Sequence, residues 1–227
     1  MNADKWPTDW PRLFGLAEYE LRNHLGVVNG YARILQSRKM DASQQTLIHA
    51  ELGRAAEQAC QVIHKMRELQ AFETGQWRTA VEKSEISLES MIRDVIATPG
   101  RRWDPQVAVD VLINPGETAV MAHAELLKRA LVAVVSWVCG ELGRKQRYTM
   151  HLRIADSPEP YRNIVVAKTA DITRAALQPD ARLEPFNDYQ DGTGLDLPLA
   201  TRTIAAHGGQ IWWLEGTIGL RIALPLP

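Results

Sequence analysis

The sequence predicts an α+β fold in two parts: an N-terminal antiparallel helical hairpin, then an α/β-sandwich with helices on one face of a mixed sheet. Three observations predict it. Apolar residues between positions 14 and 35 recur at alternating spacings of three and four. A similar stripe runs from Leu52 to Leu69, ending at Glu73-Thr74-Gly75. Beyond Gly75 the pattern changes to short strand-like segments interspersed with shorter helices. The expected domains are therefore residues 10–75 and 76–227.

In the first helix Pro11 suits an opening turn, where its missing N–H costs nothing, and Asp9 or Thr8 can cap it. Phe14, Ala17, Leu21, Leu25, Val28, Ala32 and Leu35 then form a heptad stripe, carrying the helix to about Arg38. Lys39-Met40-Asp41 makes the turn, and Asp41 or Ser43 caps a second helix. Its stripe is Leu52, Ala55 or Ala56, Ala59, Val62 or Ile63, Met66 and Leu69. Two long helices with a short link form a hairpin with an apolar seam left open, so two copies are expected to pair as a four-helix bundle.

In the second part, Arg78 to Ser87 alternates weakly, and Leu88 to Ala97 reads as a short helix ended by Thr98-Pro99-Gly100. Val107 to Ile113 and Thr118 to Met121 favour strands, and Glu125 to Leu142, apolar almost all round, a buried helix. Thr149 to Ile154 and Asn163 to Ala167 form a hairpin across Ser157-Pro158-Glu159-Pro160. Glu184-Pro185-Phe186 is expected in a loop, with a helix from about Leu195 to His207. Gln210 to Leu214 and Leu220 to Leu224 are expected to close the sheet.

Composition narrows the function classes. Hydrophobic content of 45% and charged content of 23% are those of an ordinary globular protein. A net charge of −1 argues against a nucleic-acid binder, and the apolar run Ala130 to Cys139 is too short to span a bilayer. The N-terminus lacks the apolar core of a secretory signal. Cys60 and Cys139 are expected as buried, reduced thiols, which suits a cytoplasmic protein. His49, His64, His123, His151 and His207 show no ligand spacing to carboxylates or cysteines, so no metal site is expected. His207 precedes Gly208 in a helix C-cap context.

One face of the first helix stands apart. Tyr19, Asn23, Gly26, Gly30 and Arg33 step by three and four opposite the apolar seam. Glycine in an exposed helix costs roughly 1 kcal/mol against alanine. Two of them make sense where another backbone approaches closely, so this face is expected to bind a partner.

Glu18-Tyr19-Glu20-Leu21-Arg22-Asn23-His24-Leu25 resembles the phosphoacceptor box of bacterial sensor histidine kinases, H-E-L-R-(N/T)-P-L. Gly30-Tyr31-Ala32, Phe72-Glu73-Thr74-Gly75, Glu184-Pro185-Phe186, Gly192-Thr193-Gly194-Leu195 and Ala206-His207-Gly208-Gly209 extend the resemblance in order along the whole chain. The resemblance implies a dimerisation and phosphotransfer hairpin followed by an ATP-binding sandwich of the histidine kinase ATPase type. It also implies that response regulator receiver domains dock on the Tyr19 side of the hairpin.

The chemical positions of that family are altered here. Tyr19 stands in place of the phosphoacceptor histidine; a phenol with a pKa near about 10 would form a far less labile ester. Aligning Leu127 to Leu131 with the family's asparagine box puts Ala133 and Trp137 where asparagines hold magnesium, and neither offers an oxygen. The adenine-binding aspartate of D-x-G-x-G is Ala167 or Lys168, with Asp171 past the expected strand end. Gly192, Thr193 and Gly194 keep a phosphate-cradling remnant, but Asp196 replaces the third glycine with a like charge. Losses of roughly 1–3 kcal/mol per missing partner should weaken nucleotide binding more than about 100-fold. Neither ATP nor magnesium is expected as a cofactor.

Glu20 and Asn23 match the family's E-x-x-(T/N) phosphatase motif, in which the asparagine orients a water toward an aspartyl phosphate. His24 is a substitute phosphoacceptor to consider, yet it lies roughly 140° around the helix from Tyr19, beside the apolar stripe. The expectation is a catalytically inactive histidine-kinase-like homodimer of two-component signalling that binds a receiver domain, as scaffold, sequestering partner or phosphatase. Alternatives are a phosphotransferase relaying through His24 and a structural heterodimer partner of an active kinase.

Overall fold

The computed structural model describes residues 10–37, 40–77, 82–97, 108–113, 119–143, 149–156, 161–169, 183–187, 194–215 and 219–227. The chain divides into two compact units, Met1–Trp77 and Arg78–Pro227.

The first unit is α1 (Trp10–Ser37) packed along α2 (Ala42–Glu73). Leu13 and Ala17 of α1 and Ile48, Ala55, Ala59, Val62 and Leu69 of α2 are buried. Ala55 and Val62, not Ala56 and Ile63, therefore carry the α2 seam. In α1 the inward stripe starts one residue earlier than periodicity suggested. Leu13 is buried while Phe14 is 60% and Leu25 54% exposed. Apolar residues at 13, 14, 16 and 17 cover more than one helix face, and the neighbour decides which of them is covered.

Asp41 starts α2. Its Oδ1 accepts from the Gln44 N–H at 2.9 Å, and the Gln44 side chain accepts from the Asp41 N–H at 3.4 Å, a reciprocal capping box. Ser43, the alternative cap, instead donates its hydroxyl to Asp41. The helix ends at Thr74, whose N–H reaches the Gln70 carbonyl, followed by Gly75 at φ +72°, a conformation that favours glycine. The α1 caps expected at Thr8 or Asp9 lie outside the described residues. Cys60 is exposed, contrary to expectation, because it lies on the outer side of α2; Cys139 is buried.

The second unit runs β1 (Ser84–Ser87), α3 (Leu88–Ala97), β2 (Ala108–Ile113), β3 (Ala119–Ala122), α4 (Ala124–Gly143), β4 (Thr149–Asp156), β5 (Tyr161–Ala167), β6 (Leu183–Pro185), α5 (Asp196–Ala206), β7 (Gln210–Leu214) and β8 (Gly219–Pro225). β1 and β3 pair as a small antiparallel sheet. The main sheet has the order β2-β4-β5-β8-β7-β6, with β2 parallel to β4 and the remaining pairs antiparallel. Strands β4 and β5 form the expected hairpin, with Ile154 opposite Ile164.

Two expectations fail here. Leu183–Pro185 is an edge strand and not a loop; its three residues are too few to show periodicity, and an edge tolerates proline's missing N–H. In consequence β7 and β8 do not close the sheet, since β8 lies between β5 and β7, and β6 lies outside β7.

Strand alternation sorts the side chains. Ile164 and Val166 of β5, Leu220, Ile222 and Leu224 of β8, and Ile211 and Trp213 of β7 join the core formed with α3, α4 and α5. Val165, Ala167 and Leu214 cluster on the opposite face of the sheet. The helices thus cover one face, as a mixed-sheet sandwich requires.

Candidate functional site

On α1 the residues of the altered box divide between two faces. Tyr19 is 62% exposed, and Asn23, Gly26, Gly30 and Arg33 are exposed with it. A Cβ built on Gly26 or Gly30 would meet no heavy atom within 4 Å, so neither glycine serves packing among the described residues. Beside them Glu18, Leu21, Arg22, Leu25, Gly26 and Asn29 line a shallow hollow, and Arg22 pairs with Glu18 across it.

Glu20 turns the other way. Its carboxylate lies 3.9 Å from the Lys65 ammonium of α2, with both side chains largely covered. His24, four residues on, shares that inward side and is half-buried. The paired Glu20 and Asn23 of the motif therefore point into and away from the hairpin respectively.

In the sandwich, α4 brings Trp137 to a position enclosed by aromatic rings. Only 8% of Trp137 is exposed. Its ring meets Phe186 edge-on at 5.5 Å between centroids and Trp213 at 5.1 Å. These are the distances at which quadrupoles attract in tilted geometry. Phe186 follows β6 and Trp213 is on β7, so the indole ties the helix layer to the edge of the sheet. Ala133, one turn earlier, is half-buried against the same core.

Of the two candidates for the adenine position, Ala167 is fully buried on the sheet face away from the helices. Lys168 lies just past the strand, half-buried. Asp171, Gly192 and Thr193 lie outside the described residues. Gly194 is buried at φ +55°, and Asp196 is exposed in the first turn of α5. Among the described residues no three His, Cys, Asp or Glu side chains converge as a metal site, and no helix is long and apolar enough to cross a membrane.

The resemblance singles out Trp137 but not its ring partners, which are distant in sequence and announced by no motif. It also missed a link between His123 and His207, whose signal is only the position of each histidine at a helix end.

A helical hairpin followed by an α/β-sandwich of this kind is the fold of histidine kinase catalytic cores, hairpin plus ATPase-type domain. The chain is similar to the histidine kinase AdeS of Acinetobacter baumannii over 92% of its own length and 98% of the other's, with a TM-score of 0.65 and 15% identity. Histidine kinase ThkA, solved in complex with the response regulator protein TrrA, is matched at TM-score 0.54 and 14% identity over 92% of this chain and 60% of that one. Full-length ShkA, solved with AMPPNP, is matched at TM-score 0.53 and 20% identity over 96% of this chain and 45% of that one. At these identities the likeness is one of fold. No protein-family profile and no curated protein sequence matches the chain.

Proposed function

We propose that this chain is a catalytically inactive histidine-kinase-like protein that dimerises through its hairpin and binds a response regulator receiver domain. It acts as a scaffold or sequestering partner in the cytoplasm and takes neither ATP nor magnesium. The observation that carries the loss of kinase chemistry is Trp137, packed between Phe186 and Trp213 where the resemblance puts a magnesium-holding asparagine. An indole in that position offers a cation no oxygen and, as the resemblance implies, would fill space near a nucleotide. At the other reaction partner, exposed Tyr19 supplies a phenol in place of an imidazole.

Docking is supported by the outward face of Tyr19, Asn23, Gly26, Gly30 and Arg33, and by the structural neighbour solved with a response regulator. Dimerisation is supported by the exposed apolar side chains of the hairpin, Phe14, Leu25, Leu47 and Ile63, which a second hairpin would cover. A relay through His24 is less well served, because that ring is half-buried on the inward side.

Calorimetry with magnesium-ATP tests the reading. No heat of binding is expected; micromolar affinity, or autophosphorylation from labelled ATP, would sink it. Incubation with a phosphorylated receiver separates the remaining roles. Binding without phosphate loss marks a scaffold, and phosphate loss that disappears in Asn23→Ala marks a phosphatase. Transfer that disappears in His24→Ala marks a relay and replaces the proposal.

A further inference from the structure

We propose that His207 and His123 form a proton-operated latch: protonation of His207 releases the N-terminal end of α4 from the C-terminal end of α5 while the rest of the sandwich stays folded. The ring of His207 is buried and has two partners of opposite kind. Its Nδ1 lies 2.7 Å from the Thr203 carbonyl oxygen, which can only accept, so Nδ1 carries the hydrogen. Its Nε2 lies 3.0 Å from the backbone nitrogen of His123, whose N–H can only donate, so Nε2 presents a lone pair. The partners thus assign the neutral tautomer. A second proton would sit on Nε2 and face the His123 N–H, donor against donor.

The bond lost is a joint between elements and not part of either helix. His123 begins α4: its carbonyl accepts from the Leu127 N–H at 3.0 Å and its Nδ1 accepts from the Leu126 N–H at 3.3 Å. The end of α5 is closed without the imidazole. The Gly208 N–H reaches the Ala205 carbonyl, the Gly209 N–H reaches the Ile204 carbonyl, and Gly208 takes φ +78°, the pattern of a Schellman cap. Both helix ends therefore keep their own hydrogen bonds when the link opens, which makes the opening local.

The groups acting on the ring agree in direction. Burial is the largest influence and holds the pKa of His207 below the ordinary histidine value of 6.5. The Thr203 carbonyl opposes it, while Lys83, from the segment leading into β1, and His123 itself lower it further. Because the closed state has the lower pKa, the latch is fully held above pH about 6.5 and weakens as pH falls toward the lowered value.

Amide hydrogen exchange on the full chain, corrected for intrinsic rates and followed between pH 7.5 and pH 5, tests this. Protection of the His123 amide should fall about tenfold per pH unit below about 6.5 and level off beneath the lowered pKa, while β5 amides keep theirs. His207→Gln, which retains an acceptor but does not titrate, should flatten the profile. His123→Asn, which keeps the backbone N–H and a capping oxygen, should leave it in place. Nitrogen chemical shifts of the wild-type rings give a reading independent of any variant. Constant protection, simultaneous loss in β5, an Nε2–H tautomer at neutral pH, or a profile that vanishes with His123→Asn would each overturn the latch.

Discussion

Replacing Trp137 with alanine tests whether the aromatic ring fills the sandwich as described. The indole is 8% exposed and sits 5.5 Å and 5.1 Å from two further rings. Truncating a buried tryptophan to alanine costs about 3–5 kcal/mol, a figure that already includes most of the ring-to-ring attraction of about 0.5–1.5 kcal/mol per pair. With a urea dependence of about 2 kcal/mol per molar, a loss of about 4 kcal/mol lowers the unfolding midpoint of the sandwich by about 2 M. Far-UV circular dichroism is the appropriate signal, since the variant alters the tryptophan fluorescence. Trp137→Phe should lose less, because one ring still lies against Phe186 and Trp213. The same titration with magnesium-ATP should leave the wild-type midpoint unmoved. Nucleotide at a hundred times its dissociation constant would add about 2.7 kcal/mol, an effect easily seen. A Trp137→Ala loss below about 1 kcal/mol, or a nucleotide-dependent rise in the wild type, would refute the reasoning.

Three further outcomes follow from the same structure. Tyr19→His places an imidazole on an exposed helix face but, under the proposed function, should give no autophosphorylation from labelled ATP, because Trp137 and the other positions aligned with the family's nucleotide site are untouched. Phe14→Glu places a charge on the exposed apolar side of the hairpin and should convert the proposed dimer to a monomer in light scattering, with the helical content of the unit retained. Gly209→Ala should lower the melting temperature by about 4–8 °C, equivalent to about 2 kcal/mol, since its Cβ would lie 2.6 Å from the Ala223 carbonyl oxygen and 2.9 Å from Leu224.

What could be read from the sequence divides along physical lines. The capping box at Asp41 and Gln44 and the glycine after Thr74 are local signals, complete within a few residues, and the helix limits follow from them. The buried helix α4 is equally legible, because it is apolar on nearly every side. The choice of Leu13 over Phe14, or Val62 over Ile63, is not local: adjacent apolar residues compete, and only the packed neighbour decides. Strand β6 hides because a three-residue edge strand ending in proline has the composition of a loop. The altered positions of the candidate site, Tyr19 and Trp137, stand out against the resemblance. The rings that enclose Trp137 do not, since contacts between α4, β6 and β7 leave no spacing in the chain.

The two faces of α1 make binding and stability separable. Glu20 and His24 lie on the side where α1 meets α2, and Glu20 approaches Lys65 there. Removing one member of this largely covered ion pair deprives the remaining charge of a partner, so substitutions on this side act first on the hairpin itself. Tyr19, Asn23 and Arg33 are exposed, and the neighbouring glycines leave room for another backbone. A docking surface requires only this outward set, whereas a relay requires a nucleophile that a receiver can reach. Under the proposed function the box can carry Tyr19 in the histidine's place and still serve as a surface, because the residues that hold the hairpin and those that would face a partner are different residues.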